Sequence, residues 1–118
     1  MIQQSGSPAA APLAFNIIGN TLFHAGFNVL PIHHTIPSFG DWGFWIAGKQ
    51  EDYQKNEIAE TLSKITSLPD QVIYLTPALI RASQAFGKNR PNYKTAPVNR
   101  LLAERLFVAY EGAWERLQ

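Results

Sequence analysis

The stretch most suggestive of chemistry is Thr35-Ile36-Pro37-Ser38-Phe39-Gly40-Asp41-Trp42-Gly43-Phe44, in which one carboxylate, Asp41, stands among aromatic side chains. A carboxylate can hold an ammonium group. An aromatic ring attracts a cation through its π face, and Phe39, lacking a hydroxyl, offers only that face. A structural account fits equally well. Phe39, Trp42 and Phe44 would then be core aromatics, Gly40 and Gly43 would serve backbone geometry, and Asp41 would stabilise its own turn. A second constellation is Gln4-Ser5-Gly6-Ser7-Pro8. Here a side-chain amide at a strand end meets the free N–H groups of a helix start. The plain alternative is a strand-to-helix turn with Ser7 as its cap.

Other reactive groups lack partners at useful spacing. His33 and His34 are adjacent, so on a strand they point to opposite faces and cannot share one ion. Their spacing matches no metal-ligand pattern, so a metal site is not expected. Glu51, Asp52, Glu57 and Glu60 alternate with Lys49, Lys55 and Lys64, the arrangement of a solvated mixed-charge face. The chain has no cysteine, which excludes thiolate catalysis, thiolate zinc sites and disulfides. A net charge of +1 offers no electrostatic footprint for nucleic acid. No apolar run approaches the roughly 20 residues of a membrane span.

The elements that must position these residues can be read from pattern. Residues 2–5 form a strand. Ser7 and Pro8 open a helix over 8–25, with Leu13, Ile17, Ile18, Thr21, Leu22 and Ala25 at helical spacing and Gly26 just beyond its end. Residues 27–36 form a strand, which Pro31 confines to a sheet edge or a bulge. A turn over 37–41 returns the chain through a strand over 42–49. Its Trp42, Phe44 and Ile46 share one face and Gly43, Trp45 and Ala47 the other, so burial on both sides is expected. Beyond it come a helix over 50–64, a short strand over 72–75, a helix from Thr76-Pro77 to about Gly87, a loop and a last helix over 98–117. The strands over 2–5, 28–36 and 42–48 should share one sheet, with the first helix crossing between the first two strands.

The hairpin, and the Gln4–Pro8 element with it, resembles the polyamine aminopropyltransferases, the spermidine and spermine synthase family. It is most similar to the bacterial branch in which this domain follows membrane helices and reads Pro-Ser-Phe-Gly-acid-Trp-Gly-Phe. Soluble members carry a tyrosine where this chain has Phe39, and members often carry a glutamate where it has Gly6. The resemblance covers residues 2–49 best. It implies an α/β fold, the C-terminal portion of a class I methyltransferase-like (Rossmann-like) sandwich. Residues 1–49 would be its sheet portion and residues 50–118 a mostly helical C-terminal extension.

The complete family protein, by the same resemblance, transfers an aminopropyl group from decarboxylated S-adenosylmethionine to a polyamine. Substrate-binding residues carried over are Gln4, Ser5, Phe39 and Asp41; no catalytic, cofactor-binding or metal residue is carried over. The family's Gly-rich cofactor turn and Asp-x-x-Asp motif do not occur here, where the aspartates are Asp41, Asp52 and Asp70. The chain alone should therefore bind no cofactor and be inactive, a C-terminal fragment of a spermidine-synthase-like protein. The alternatives are a separately encoded subunit that completes a partner's sheet, or an unrelated small α/β binding domain. Self-association, or pairing with the missing N-terminal half, is expected because a sheet edge would be left open. A cytoplasmic location is expected, leaving room for a membrane-associated parent.

Overall fold

Residues 27–36 and 40–49 are rich in β-branched and aromatic side chains, and they pair along their whole length. In a computed structural model, which describes residues 1–38, 40–87, 90–99, 109 and 113, they form β2 (Phe27–Ile36) and β3 (Gly40–Lys49). The register runs from Phe27 opposite Lys49 to Ile36 opposite Gly40. Ser38 and Gly40 both take positive φ in the turn. β1 (Ile2–Gln4) adds to the other side of β3, antiparallel, with Ile2 opposite Ile46 and Gln4 opposite Phe44. The sheet order is β1-β3-β2. β1 and β2 thus run parallel with β3 inserted between them, and α1 (Pro12–His24) carries the chain from one to the other. The protein is a small α/β structure whose described sheet is antiparallel between neighbours.

Pro31 sits where its missing N–H does no harm. β2 is an edge strand, and the N–H of His33, two residues on, points away from β3 to the Ser83 carbonyl at 2.9 Å. The nitrogen of Pro31 faces the same outer side, off the ladder.

α1 packs on one face of the sheet through Trp45. That indole is fully buried, stacks on Phe15 at 4.7 Å between centroids, and donates from Nε1 to the Phe15 carbonyl at 2.9 Å. Tyr93, in the 3-10 turn Tyr93–Thr95, meets it edge-on at 5.3 Å. Gly19 lies against the ring so closely that an added Cβ would overlap it. A second cluster joins Ala11, just before α1, and Ala14 and Ile17 within it to Ala109 and Ala113. Asn20 donates to the Ala96 carbonyl at 2.7 Å and Thr21 Oγ1 accepts from the Asn99 N–H at 2.8 Å, which fastens the 96–99 segment to the helix.

Several expectations are corrected. α1 begins at Pro12, not Pro8. Ser7 caps a separate turn, accepting from the Ala10 N–H at 3.1 Å, because a residue before proline is pushed out of the helical region and Ala11, at φ −133°, obeys that rule. The buried stripe is Ala14, Phe15, Ile17, Gly19 and Asn20, while Leu13 and Ala25 are exposed; the fit to Trp45, not hydropathy alone, sets the rotation. Only the Gly43, Trp45 and Ala47 face of β3 is buried; Trp42, Phe44 and Ile46 are half-buried. The expected helix over 50–64 is reduced to α2 (Glu57–Ser63), preceded by left-handed Asn56. Residues 50–53 instead close the strand end, with the Gln50 N–H on the Gly26 carbonyl and the Asp52 and Tyr53 N–H groups on that of Lys49.

Residues 72–75 belong to no strand, since no neighbour among the described residues pairs with them; Ile73 is 95% exposed. α3 (Pro77–Ala82) has the expected Thr76 cap, Oγ1 accepting from the Leu79 N–H at 3.1 Å. It stops short of Gly87, however, because the Ser83 carbonyl is taken by His33. Of the last helix, Val98 and Asn99 are not helical, Ala109 and Ala113 are, and the remainder lies outside the described residues.

Two outcomes follow from the packing at Trp45. Gly19→Ala gains up to about 1 kcal/mol of helix propensity but forces a shift against a buried indole, costing about 1–3 kcal/mol. Urea unfolding should therefore show a net loss of stability. Burial also pushes the Tyr93 phenol above its ordinary value of 10.0. The unfolded chain then releases this proton first, so the associated stability is complete below pH 10.0 and is lost as the pH rises through the raised folded value. Denaturation across that window should be flatter for Tyr93→Phe.

Candidate functional site

The β2–β3 register places Thr35 opposite Asp41 and His33 opposite Gly43. His33 and Asp41 are therefore diagonal neighbours on the face that also carries Trp45, within reach of each other's side chains. His33 Nδ1 lies 2.7 Å from Asp41 Oδ1. The other ring nitrogen, Nε2, contacts the Ala85 carbonyl, and the ring stacks on Phe86 at 4.3 Å between centroids. With its backbone N–H on Ser83, His33 holds the 83–86 segment to the sheet by three different contacts. Both ring nitrogens face oxygen acceptors. An imidazolium donates to both, whereas a neutral ring donates to one.

A cavity of about 610 Å³ opens beside this pair. β2 and β3 contribute His33 and Asp41, α1 contributes Phe15 and Asn16, and the 86–95 stretch contributes Phe86 and Arg90. The side-chain pair is accessible, His33 being 24% and Asp41 29% exposed. Asp41 Oδ2 has no hydrogen bond among the described residues. Asn16 Oδ1 is buried with no donor among them. The arrangement can hold a polar ligand between a carboxylate and aromatic walls. It contains no group of three His, Cys, Asp or Glu that could hold a metal, again among the described residues.

The sequence-derived site residues diverge here. Asp41 lines the cavity. Ser5 is buried under the sheet end, its Oγ donating to the Gln3 carbonyl at 3.0 Å and its N–H to the Gly43 carbonyl. Gln4 pairs with Phe44, so its exposed side chain belongs to the opposite face from Asp41. Phe39 lies outside the described residues. His34, opposite Trp42, faces away from His33. Sequence reading weighed His33 only as a metal ligand and missed Phe86, Arg90 and Asn16. The one available signal was the eight-residue separation of His33 and Asp41 across a tight turn, which makes them cross-strand neighbours once the register is known.

His33→Ala should loosen the 83–86 segment and leave the β2–β3 ladder intact. Amide exchange at Gln84 and Ala85 should accelerate up to about tenfold, the loss of one hydrogen bond, while that of Ala47 stays unchanged.

No family model matches the chain, and no solved structure matches it significantly. Curated relatives do. The polyamine aminopropyltransferase of Shewanella oneidensis is 34% identical over 119 residues, covering 98% of this chain and 20% of the relative. That of Oceanobacillus iheyensis is 31% identical over 120 residues, covering 98% of this chain and 21% of the relative. Polyamine aminopropyltransferase 2 of Bacillus anthracis is 60% identical over 45 residues, covering 37% of this chain and 12% of the relative. The chain spans about one fifth of the length of the relatives that match it throughout. No helix among the described residues is long and apolar enough to cross a membrane. Similarity sustained over nearly the whole chain places it, by sequence, in the polyamine aminopropyltransferase family.

Proposed function

We propose that this chain is the C-terminal portion of a spermidine-synthase-like protein and that it forms a wall of the polyamine-binding side of the complete protein. The observation that carries the reading is the match over 98% of the chain to a polyamine aminopropyltransferase of which it is only 20%. In the complete protein an amine nitrogen would attack the carbon next to the sulfonium of decarboxylated S-adenosylmethionine. The carbon–sulfur bond breaks, the thioether leaves, and the amine's proton passes to a base. The glycine-rich turn and Asp-x-x-Asp motif that serve this step in the family are absent from this sequence, so the chain contributes walls and substrate contacts and does not turn over alone.

The β1-α1-β2 unit with β3 inserted between its strands supports the C-terminal portion of a methyltransferase-like sandwich. In that reading residues 1–49 supply the sheet and 50–118 the helical extension. β1 uses one of its edges on β3, so its other edge is suited to pairing with the rest of the complete protein or with a second copy. The sequence from Pro37 to Phe44 favours the membrane-associated branch, with this portion on the cytoplasmic side.

The test is a pair of assays with decarboxylated S-adenosylmethionine and 1,4-diaminobutane. The purified chain should form no spermidine. A chimera in which the chain replaces the matching segment of the Shewanella oneidensis protein should form it. Turnover by the chain alone would refute the assigned inactivity. A folded but inactive chimera would remove the functional reading.

A further inference from the structure

We propose that His33 is a positioning residue that holds Asp41 as the carboxylate of an ammonium subsite in the 610 Å³ cavity. This rests on the polyamine reading and specifies where in the chain an amine would be held and what orients the group that holds it.

Asp41 has two carboxylate oxygens with different duties. Oδ1 is taken by His33 Nδ1 at 2.7 Å, which fixes the plane of the carboxylate. Oδ2 has no hydrogen bond among the described residues, and Asp41 lines the cavity. A carboxylate anchored at one oxygen presents the other without the entropy loss of ordering a free side chain. His33 is itself held by the Ala85 carbonyl and by Phe86, so its ring cannot drift from Asp41 without breaking a stack and a hydrogen bond. The same residue therefore sets both the charged group and the Phe86 wall.

Three side chains suit an alkylammonium. Phe15 and Phe86 line the space beside the carboxylate, and aromatic faces favour a cation and cover a methylene chain. Asn16, on the helix wall, lines the cavity, and its Oδ1 is a buried acceptor without a donor among the described residues. One feature opposes. Arg90 lines the same cavity, and a like charge disfavours a bound cation. This opposition gives the proposal a sign: removing the Arg90 charge tightens an amine and weakens an anion.

The probe is 1,4-diaminobutane titrated into the purified 118-residue chain, followed by the ¹⁵N resonances of the His33 ring and by calorimetry. Saturable shifts at His33 are expected. Asp41→Asn should weaken binding about tenfold, the loss of a charged partner. Arg90→Gln should tighten it about threefold, as removal of a repulsion between partly exposed charges predicts. His33→Asn, whose amide nitrogen can take the place of Nδ1 and keep the bond to Asp41, should retain affinity better than His33→Gln, whose amide reaches toward Nε2's partner. A role in packing alone would not distinguish these two variants.

The proposal is overturned if the wild-type chain shows no saturable binding, if Asp41→Asn binds as well as wild type, if Arg90→Gln weakens binding, or if His33→Gln matches His33→Asn. The chimera assay is independent. An active chimera built on a chain that binds no diamine would reject this subsite and keep the function; a chain that binds diamine in an inactive chimera would do the reverse.

Discussion

The seating of Trp45 on α1 is the contact on which the remainder of the structure depends. A fully buried indole lies over Gly19, stacks on Phe15 and donates to the Phe15 carbonyl. That single side chain fixes three things: the distance of the helix from the sheet, which must be short where Gly19 has no Cβ; the rotation of the helix, because Phe15 and Gly19 must both face the ring; and the position of Tyr93, which closes on the indole edge. Burying an aromatic of this size contributes about 3 kcal/mol, a large share of what a domain has in hand. Gly43 acts in the same way on the same face of β3, where a Cβ would overlap Phe15 and Pro8. Two glycines facing two aromatics thus bring helix and sheet together.

The cavity depends on that seating indirectly. Phe15 has one side against Trp45 and also lines the cavity, while Asn16, the next residue, supplies its helix wall. The opposite wall is tied down by His33, which reaches from an edge strand to the turn after α3. An edge strand normally presents unpaired backbone groups as a hazard. β2 answers this with a proline where an N–H would be free and with a histidine whose N–H is bonded to Ser83. The edge that would invite aggregation thereby becomes the anchor for the segment that walls the cavity.

Other surfaces remain open among the described residues. β1 is exposed at all three positions, and Val72 to Leu75 are exposed despite being strand-forming side chains. Phe44 and Ile46, on the sheet face away from α1, are half-buried.

Local signals in the sequence determined the hairpin, the edge position of β2, the end of α1 at Gly26 and the Thr76 cap. Each depends on residues within a few positions of one another, where proline, glycine and a capping hydroxyl act directly on backbone dihedrals. The family resemblance was legible for the same reason, because the motif read for it, Pro37 to Phe44, is a run of neighbouring residues. Pattern failed where the outcome rests on distant partners. Residues 72–75 have strand-forming side chains but no neighbouring strand among the described residues; α3 stops where a carbonyl is claimed by β2; and the buried face of α1 follows the shape of Trp45, not its most hydrophobic stripe. The site divided in the same way. Asp41 could be singled out from its turn, but Gln4 and Ser5, adjacent in sequence, are sent to opposite faces by strand alternation. His33 becomes the partner of Asp41 only through cross-strand register. Phe86, Arg90 and Asn16 join them only through tertiary packing, because nothing in a linear spacing records which loop will fold over which helix.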